Sequence, residues 1–249
     1  MSGVITLLTD FGTADGYVGE MKGVLLSGAP GATLVDIAHD LSAQDVDGAR
    51  LAVARYWQRF PAGTVHLVVV DPGVGGPRAA LAVESEGRFL VGPDNGVLSP
   101  ALLHADARCV KLAVPAGAAP TFHGRDVFAP AAAALARGSS LESLGEPWAT
   151  PVVRRTPEAV RRDDGSIAGM VISVDRFGNA ITNLVTWRGG AVDVAGKVLP
   201  ILRTYADVEA GGAAALTGSS GLVEIVVRDG SASARLGLTR GSEVVLRPR

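Results

Sequence analysis

The chain has 249 residues, long enough to bury a substantial core as one large domain or as one medium and one small domain. Its formal net charge of -2 arises from interspersed signs with no basic stripe to neutralise a phosphate backbone, which argues against nucleic acid as a partner and for a small or zwitterionic ligand. A single cysteine, Cys109, excludes an internal disulfide framework and any multi-thiolate metal site, and no apolar stretch approaches the roughly 20 residues that span a bilayer.

Met1 to Asp10 lacks the basic region, long apolar run and small-residue cleavage site of a signal peptide, so a cytoplasmic protein without a membrane partner is expected. Val4 to Thr9 reads as a buried strand that delivers Asp10 to a loop at its C-terminal end, where α/β proteins bind ligands. Tyr17 to Leu26 has helical spacing, stops at Gly28-Ala29-Pro30-Gly31, and is followed by a second strand over Thr33 to Ile37. Asp45 to Phe60 is the clearest amphipathic helix, ended by Pro61-Ala62-Gly63. Val65 to Val70 is the continuous apolar run of a central parallel strand, and it terminates at Asp71-Pro72-Gly73-Val74-Gly75-Gly76. Leu81 to Glu84 and Arg88 to Val91 form a hairpin pair, Gly92-Pro93-Asp94-Asn95-Gly96 is turn chemistry, and Val127 to Arg137 is an Ala-rich helix.

Between Thr150 and Gly165 the composition turns polar and proline-marked, as in a linker. Beyond it the strand candidates are Ile167 to Asp175, Ala180 to Leu184, Val192 to Leu202, Leu222 to Val227 and Glu243 to Leu246, as in a small antiparallel barrel or sandwich. The expected organisation is an N-terminal α/β domain with a mainly parallel sheet over residues 1–160 and a C-terminal all-β domain over 166–249.

Asp71 follows the most apolar strand in a loop rich in free amides, with Arg78 shortly after; a carboxylate beside a guanidinium stays charged and is held by a forked hydrogen bond. His123, in Phe122-His123-Gly124-Arg125-Asp126, sits at an expected strand-to-helix junction where an imidazole can position or deprotonate water. His39, His66 and His104 lack partners at metal-ligand spacing, so they are assigned structural or solvent roles and no metal site is expected. Asp175-Arg176-Phe177-Gly178-Asn179 gathers acidic, aromatic and amide groups in one turn, and Thr217-Gly218-Ser219-Ser220-Gly221 with Glu224 forms another polar loop. Taken singly, these segments also read as a loop ion pair, a capping histidine and ordinary hairpins.

Together, in order along the chain, Leu8-Thr9-Asp10-Phe11-Gly12, Val70-Asp71-Pro72-Gly73-Val74-Gly75, Val91-Gly92-Pro93-Asp94-Asn95-Gly96, the Phe122 to Asp126 run, the Asp175 to Asn179 turn and Ser219-Ser220-Gly221 resemble the S-adenosyl-L-methionine hydrolase (adenosine-forming) family, related to fluorinase and chlorinase. The resemblance implies an α/β domain followed by a β-barrel, and a homotrimer whose site lies between the N-terminal domain of one subunit and the C-terminal domain of the next. It implies hydrolysis to adenosine and methionine without metal or cofactor. Asp71, Arg78 and His123 match the water-activating set, and Asp10 matches the group that binds the ribose hydroxyls. Phe177 and Asn179 match the base-binding turn, Ser219 and Asp175 match contacts to the methionine portion, and Glu224 matches a further pocket residue.

The halogenating relatives carry an aromatic or small residue in place of Asp71. The fluorinase also has a hydroxyl-bearing residue near Gly124 and an insertion where this chain has only the short Glu84 to Gly87 turn. A carboxylate repels an incoming halide. The alternatives are a chlorinase-like halide transferase and a non-catalytic adenosine or S-adenosyl-L-methionine sensor.

Overall fold

The computed structural model describes residues 3–186 and 189–248, and it divides into two compact units, Met1–Arg155 and Thr156–Arg249. The first unit is a seven-stranded sheet covered on both faces. Its strands are β1 (Val4–Thr9), β2 (Thr33–Ala38), β3 (Val65–Val69), β4 (Ala80–Ser85), β5 (Arg88–Pro93), β6 (Arg108–Leu112) and β7 (Gly145–Pro147), in the spatial order β2-β1-β3-β5-β4-β6-β7. The β-α-β alternation produces the parallel half, β2, β1, β3 and β5. At Glu86 and Gly87, both with positive φ, the chain makes a two-residue hairpin turn, so β4, β6 and β7 run antiparallel and the sheet is mixed.

Side-chain alternation sorts the core. Ile5, Leu7, Val65, Leu67 and Val69 face helices α1 (Tyr17–Gly28) and α4 (Ala129–Ala136). Leu8, Val68, Val70, Leu81 and Val83 face α2 (Val46–Tyr56) and the short α3 (Ser99–Leu102). Asp45 caps α2 by accepting from the Gly48 amide at 2.9 Å, and a 3-10 turn over Trp57–Arg59 completes the segment expected to be helical to Phe60.

The second unit contains β8 (Val160–Arg161), β9 (Ile167–Val174), β10 (Ala180–Val185), β11 (Gly190–Val194), β12 (Lys197–Leu202), β13 (Ala213–Thr217), β14 (Leu222–Val227), β15 (Glu243–Pro248) and helix α5 (Ala232–Leu236). The order is β10-β14-β13-β12-β11-β15-β9-β8, and pairing of β9 with β10 closes the first seven of these into a barrel around Val171, Leu184, Val192, Ile225 and Leu246. Most pairings are antiparallel, but β12 and β13 run parallel.

The stretch read as one strand, Val192 to Leu202, is two, because Ala195 and Gly196 turn the chain with positive φ. Alanine at that position hides the turn from a search for Asn-Gly or Asp-Gly. The polar segment before the barrel is partly structured, since Val160 and Arg161 pair with β9 and Ala159 packs on the barrel core. Among the described residues no helix is long and apolar enough to cross a membrane, and no group of three His, Cys, Asp or Glu is arranged to hold a metal ion.

Candidate active site

In the first unit, β1 and β3 lie side by side with Thr9 in register with Val69, so Asp10 and Asp71 leave the sheet at neighbouring strand ends. Asp71 opens an eight-residue loop, 71–78, that returns to β4. Its tip needs glycine: Gly75 has φ +73, and a Cβ there would lie 2.4 Å from the Pro120 carbonyl oxygen. The loop therefore abuts the segment that leads to His123.

The Asp71 and Arg78 side chains retain only 5% and 10% of their exposure. Arg78 Nε donates to Asp71 Oδ1 at 3.0 Å and to Oδ2 at 3.1 Å, and Nη2 also donates to Oδ2. The same Nη2 faces His123 Nδ1 at 2.9 Å. Nη1 of Arg78 is buried and has no hydrogen-bond partner in the protein. Beneath the guanidinium lies the fully buried Phe128 ring, 5.4 Å from Cζ.

His123 does not follow a strand as expected. β6 ends at Leu112, a loop intervenes, and His123 caps a single π turn over Gly124–Phe128 that runs into α4. The widened turn is bonded from Ala129 N–H to Gly124 C=O, five residues back, and Pro130, with no N–H to give, sits at the start of the helix that follows. Gly124 is closely surrounded: a Cβ would meet Met21 Sδ at 3.2 Å, Phe122 at 3.3 Å and Val69 at 3.4 Å.

Burial and, secondarily, the Arg78 charge hold the His123 imidazole below its ordinary pKa, while Asp71 and Asp126 pull the other way. Guanidinium groups only donate, so His123 Nδ1 is the acceptor, and a neutral ring then carries its proton on Nε2. Asp10 is fixed from one side, with Oδ2 accepting the Gln44 amide at 2.7 Å. Gln44 adopts φ +64 to make that bond.

In the second unit, the turn between β9 and β10 is organised by Asp175, whose Oδ1 accepts the Phe177 and Asn179 amides at 2.9 Å each. Asn179 Nδ2 donates to Asp175 Oδ2 at 2.9 Å and to the Tyr205 hydroxyl at 3.1 Å. Gly178 allows the turn to press on Ser231, since φ is +81 and a Cβ would lie 2.0 Å from its Oγ. Asn179 is buried, whereas Phe177 stands out with 77% exposure. Glu224 is buried on β14, and Gly218 lets its carboxylate lie against the β13–β14 turn, because a Cβ would be 1.8 Å from Oε1. Ser219 is exposed in that turn.

The SAM hydroxide adenosyltransferase N-terminal domain model matches residues 5–145, and the corresponding C-terminal domain model matches 169–245. The chain belongs to this family. A curated (R)-S-adenosyl-L-methionine hydrolase of Thermus thermophilus is 43% identical across 97% of this chain and 98% of its own length. One from Salinispora arenicola is 38% identical across 96% of each. A crystal structure of an uncharacterised conserved protein from Thermotoga maritima superposes with a TM-score of 0.89 at 33% identity, covering 97% of this chain and 99% of that one.

Two residues of this SAM hydroxide adenosyltransferase member were not singled out from sequence. Tyr205 joins the Asp175–Asn179 turn, and partial burial together with the charges of Glu224 and Asp175 raises its pKa. Its only local signal is the Thr204/Asp207 capping box that forms its turn. Asn95 binds the Val70 carbonyl just before Asp71, and sequence alone gives it a place in the Val91 to Gly96 turn motif but no role of its own.

Proposed function

We propose that this chain hydrolyses S-adenosyl-L-methionine to adenosine and L-methionine by attack of water on the ribose C5′. The C5′–O bond forms as the C5′–S bond breaks, the electron pair of the broken bond stays on sulfur so that methionine leaves as a neutral thioether, and the water loses a proton. Because the leaving group is already good, the protein's task is to align the water and exclude competing solvent.

The observation that carries the reading is the nearly buried Asp71–Arg78–His123 group, in which one guanidinium bonds the carboxylate and the imidazole through Nε and Nη2. A fixed guanidinium charge beside the carboxylate and the imidazole suits an oxygen that gains negative character during reaction. We assign Asp71 as the proton acceptor, since its oxygens keep lone pairs beyond those that Arg78 uses. His123 donates from Nε2 to fix the water oxygen. Its Nδ1 is occupied by Arg78, which supports a positioning rather than a proton-accepting part.

For the substrate, we assign Asp10 to the ribose hydroxyls, Phe177 and Asn179 to the base, Asp175 and Ser219 to the methionine portion, and Glu224 to the pocket wall. The active species is a homotrimer acting in the cytoplasm, with the N-terminal domain of one subunit facing the C-terminal domain of its neighbour, and the reaction uses no metal or cofactor. Hydrolysis in oxygen-18 water, with and without chloride, tests the chemistry. Label on the adenosine 5′ oxygen is expected in both arms. Chloride-dependent 5′-chloro-5′-deoxyadenosine would mark a halide transferase, and tight adenosine binding without turnover would mark a sensor.

A further inference from the structure

The loop 71–78 brings Asp71 and Arg78 together, yet its exposed middle, Pro72, Gly73, Gly75, Gly76 and Pro77, offers little burial to hold it still. What fixes its two ends is the turn after β5. At the first end, the parallel ladder between β3 and β5 stops at Leu67 and Val91, which leaves the carbonyl of the fully buried Val70 beyond the sheet. A buried carbonyl must find a donor. Asn95 supplies it: Nδ2 donates to Val70 O at 2.9 Å, while Oδ1 accepts the Val97 amide at 3.1 Å. At the second end, the Asp94 amide donates to Ala79 O at 2.9 Å, one residue after Arg78. Asp94 is itself pinned, since its carboxylate accepts Trp148 Nε1 at 3.0 Å and the Val152 amide at 2.7 Å.

We infer that Asn95 is a positioning residue for the hydrolysis: by holding the peptide carbonyl next to Asp71 it sets where that carboxylate stands relative to the attacking water. This rests on the assignment of Asp71 made above. Both polar groups of the Asn95 side chain are taken up by backbone, and it acts through the bond to Val70 O. A displacement of about 1 Å at a reacting group costs on the order of a hundredfold in rate, so one side-chain amide is enough to matter.

Asn95→Ser is the test, because serine can still accept the Val97 amide but is too short to reach Val70. The expected result is kcat lower by about tenfold with KM within about twofold, the signature of a group that acts in the transition state. A cycle with Asp71→Asn separates positioning from general damage. If Asn95 acts through Asp71, Asn95→Ser has little further effect on kcat in the Asp71→Asn background. Independent multiplication of the two losses, or unchanged kcat for Asn95→Ser, overturns the inference while leaving Asp71 in place. Unchanged kcat for Asp71→Asn alone overturns the assignment on which it rests, and the inference with it. Should Asn95→Ser not fold, the nearly isosteric Asn95→Asp replaces the donor with an acceptor facing Val70 O. It is expected to lower kcat by about tenfold or more, and wild-type kcat in that protein overturns the inference.

Discussion

Protonation of His123 would set a second cation beside the Arg78 guanidinium and break the 2.9 Å bond between them. On the water-orienting role proposed for it, its lowered pKa has a consequence for rate: the neutral ring persists as pH falls below the ordinary histidine value of about 6.5 and is lost only as pH passes through the depressed value. A profile of kcat/KM against pH should show an acid limb there. His123→Asn should lower kcat and move that limb to more acid pH, whereas an unmoved limb would assign the titration to another group. The Asp71–Arg78 pair was legible from sequence because only seven residues separate its members and glycine and proline force the chain to turn back. The Tyr205 hydroxyl on Asn179 and the Asn95 amide on Val70 bridge 26 and 25 residues, and no local pattern announces such contacts.

Between elements, the pairing of β1 with β3 carries a polar contact inside an apolar sheet. Thr6 and His66 are register partners, and Thr6 Oγ1 lies 2.8 Å from His66 Nδ1, with the Tyr56 and Phe60 rings edge-on at 5.4 and 5.6 Å from the imidazole. Burial drives the His66 pKa down to about 4. The unfolded chain then binds a proton between about pH 6.5 and 4 that the folded chain refuses, so stability rises with pH across that window. The contribution is complete above the unfolded pKa and is lost as pH falls towards the folded one, by up to roughly 3 kcal/mol. Urea unfolding at pH 7 and pH 5 should show the difference, and His66→Leu should reduce it at a pH-independent cost from the Thr6 hydroxyl left behind. An equal pH dependence in the variant would trace the effect to other groups. Strands such as Val65–Val69 were readable because every residue is buried. By contrast, β13 (Ala213–Thr217) has an Ala-rich sequence that gives neither a strand nor a helix signal.

For the whole molecule, the proposed trimer predicts complementation. Asp71→Asn damages the N-terminal unit and Asn179→Ala the C-terminal unit, so each homotrimer should have low activity. Subunits of the two variants, exchanged by mild dissociation and reassembly, should regain activity, because some interfaces then join two intact halves. No recovery in mixed trimers, checked by sedimentation, would place both halves of the site within one chain.

The amino-acid order alone carried the division into an α/β half and a β half, the loops that follow Thr9 and Val70, and the family, since each depends on local periodicity, local turn chemistry or collinear motifs. Folding in three dimensions decided the rest. It made the N-terminal sheet half antiparallel, closed the barrel through β9 and β10, put His123 at the head of a π turn instead of a strand end, and gave Arg78 two partners. These outcomes depend on which distant segments compete to bury the same apolar surface and satisfy the same backbone groups. That competition is settled between elements, after each has formed by its own local rules.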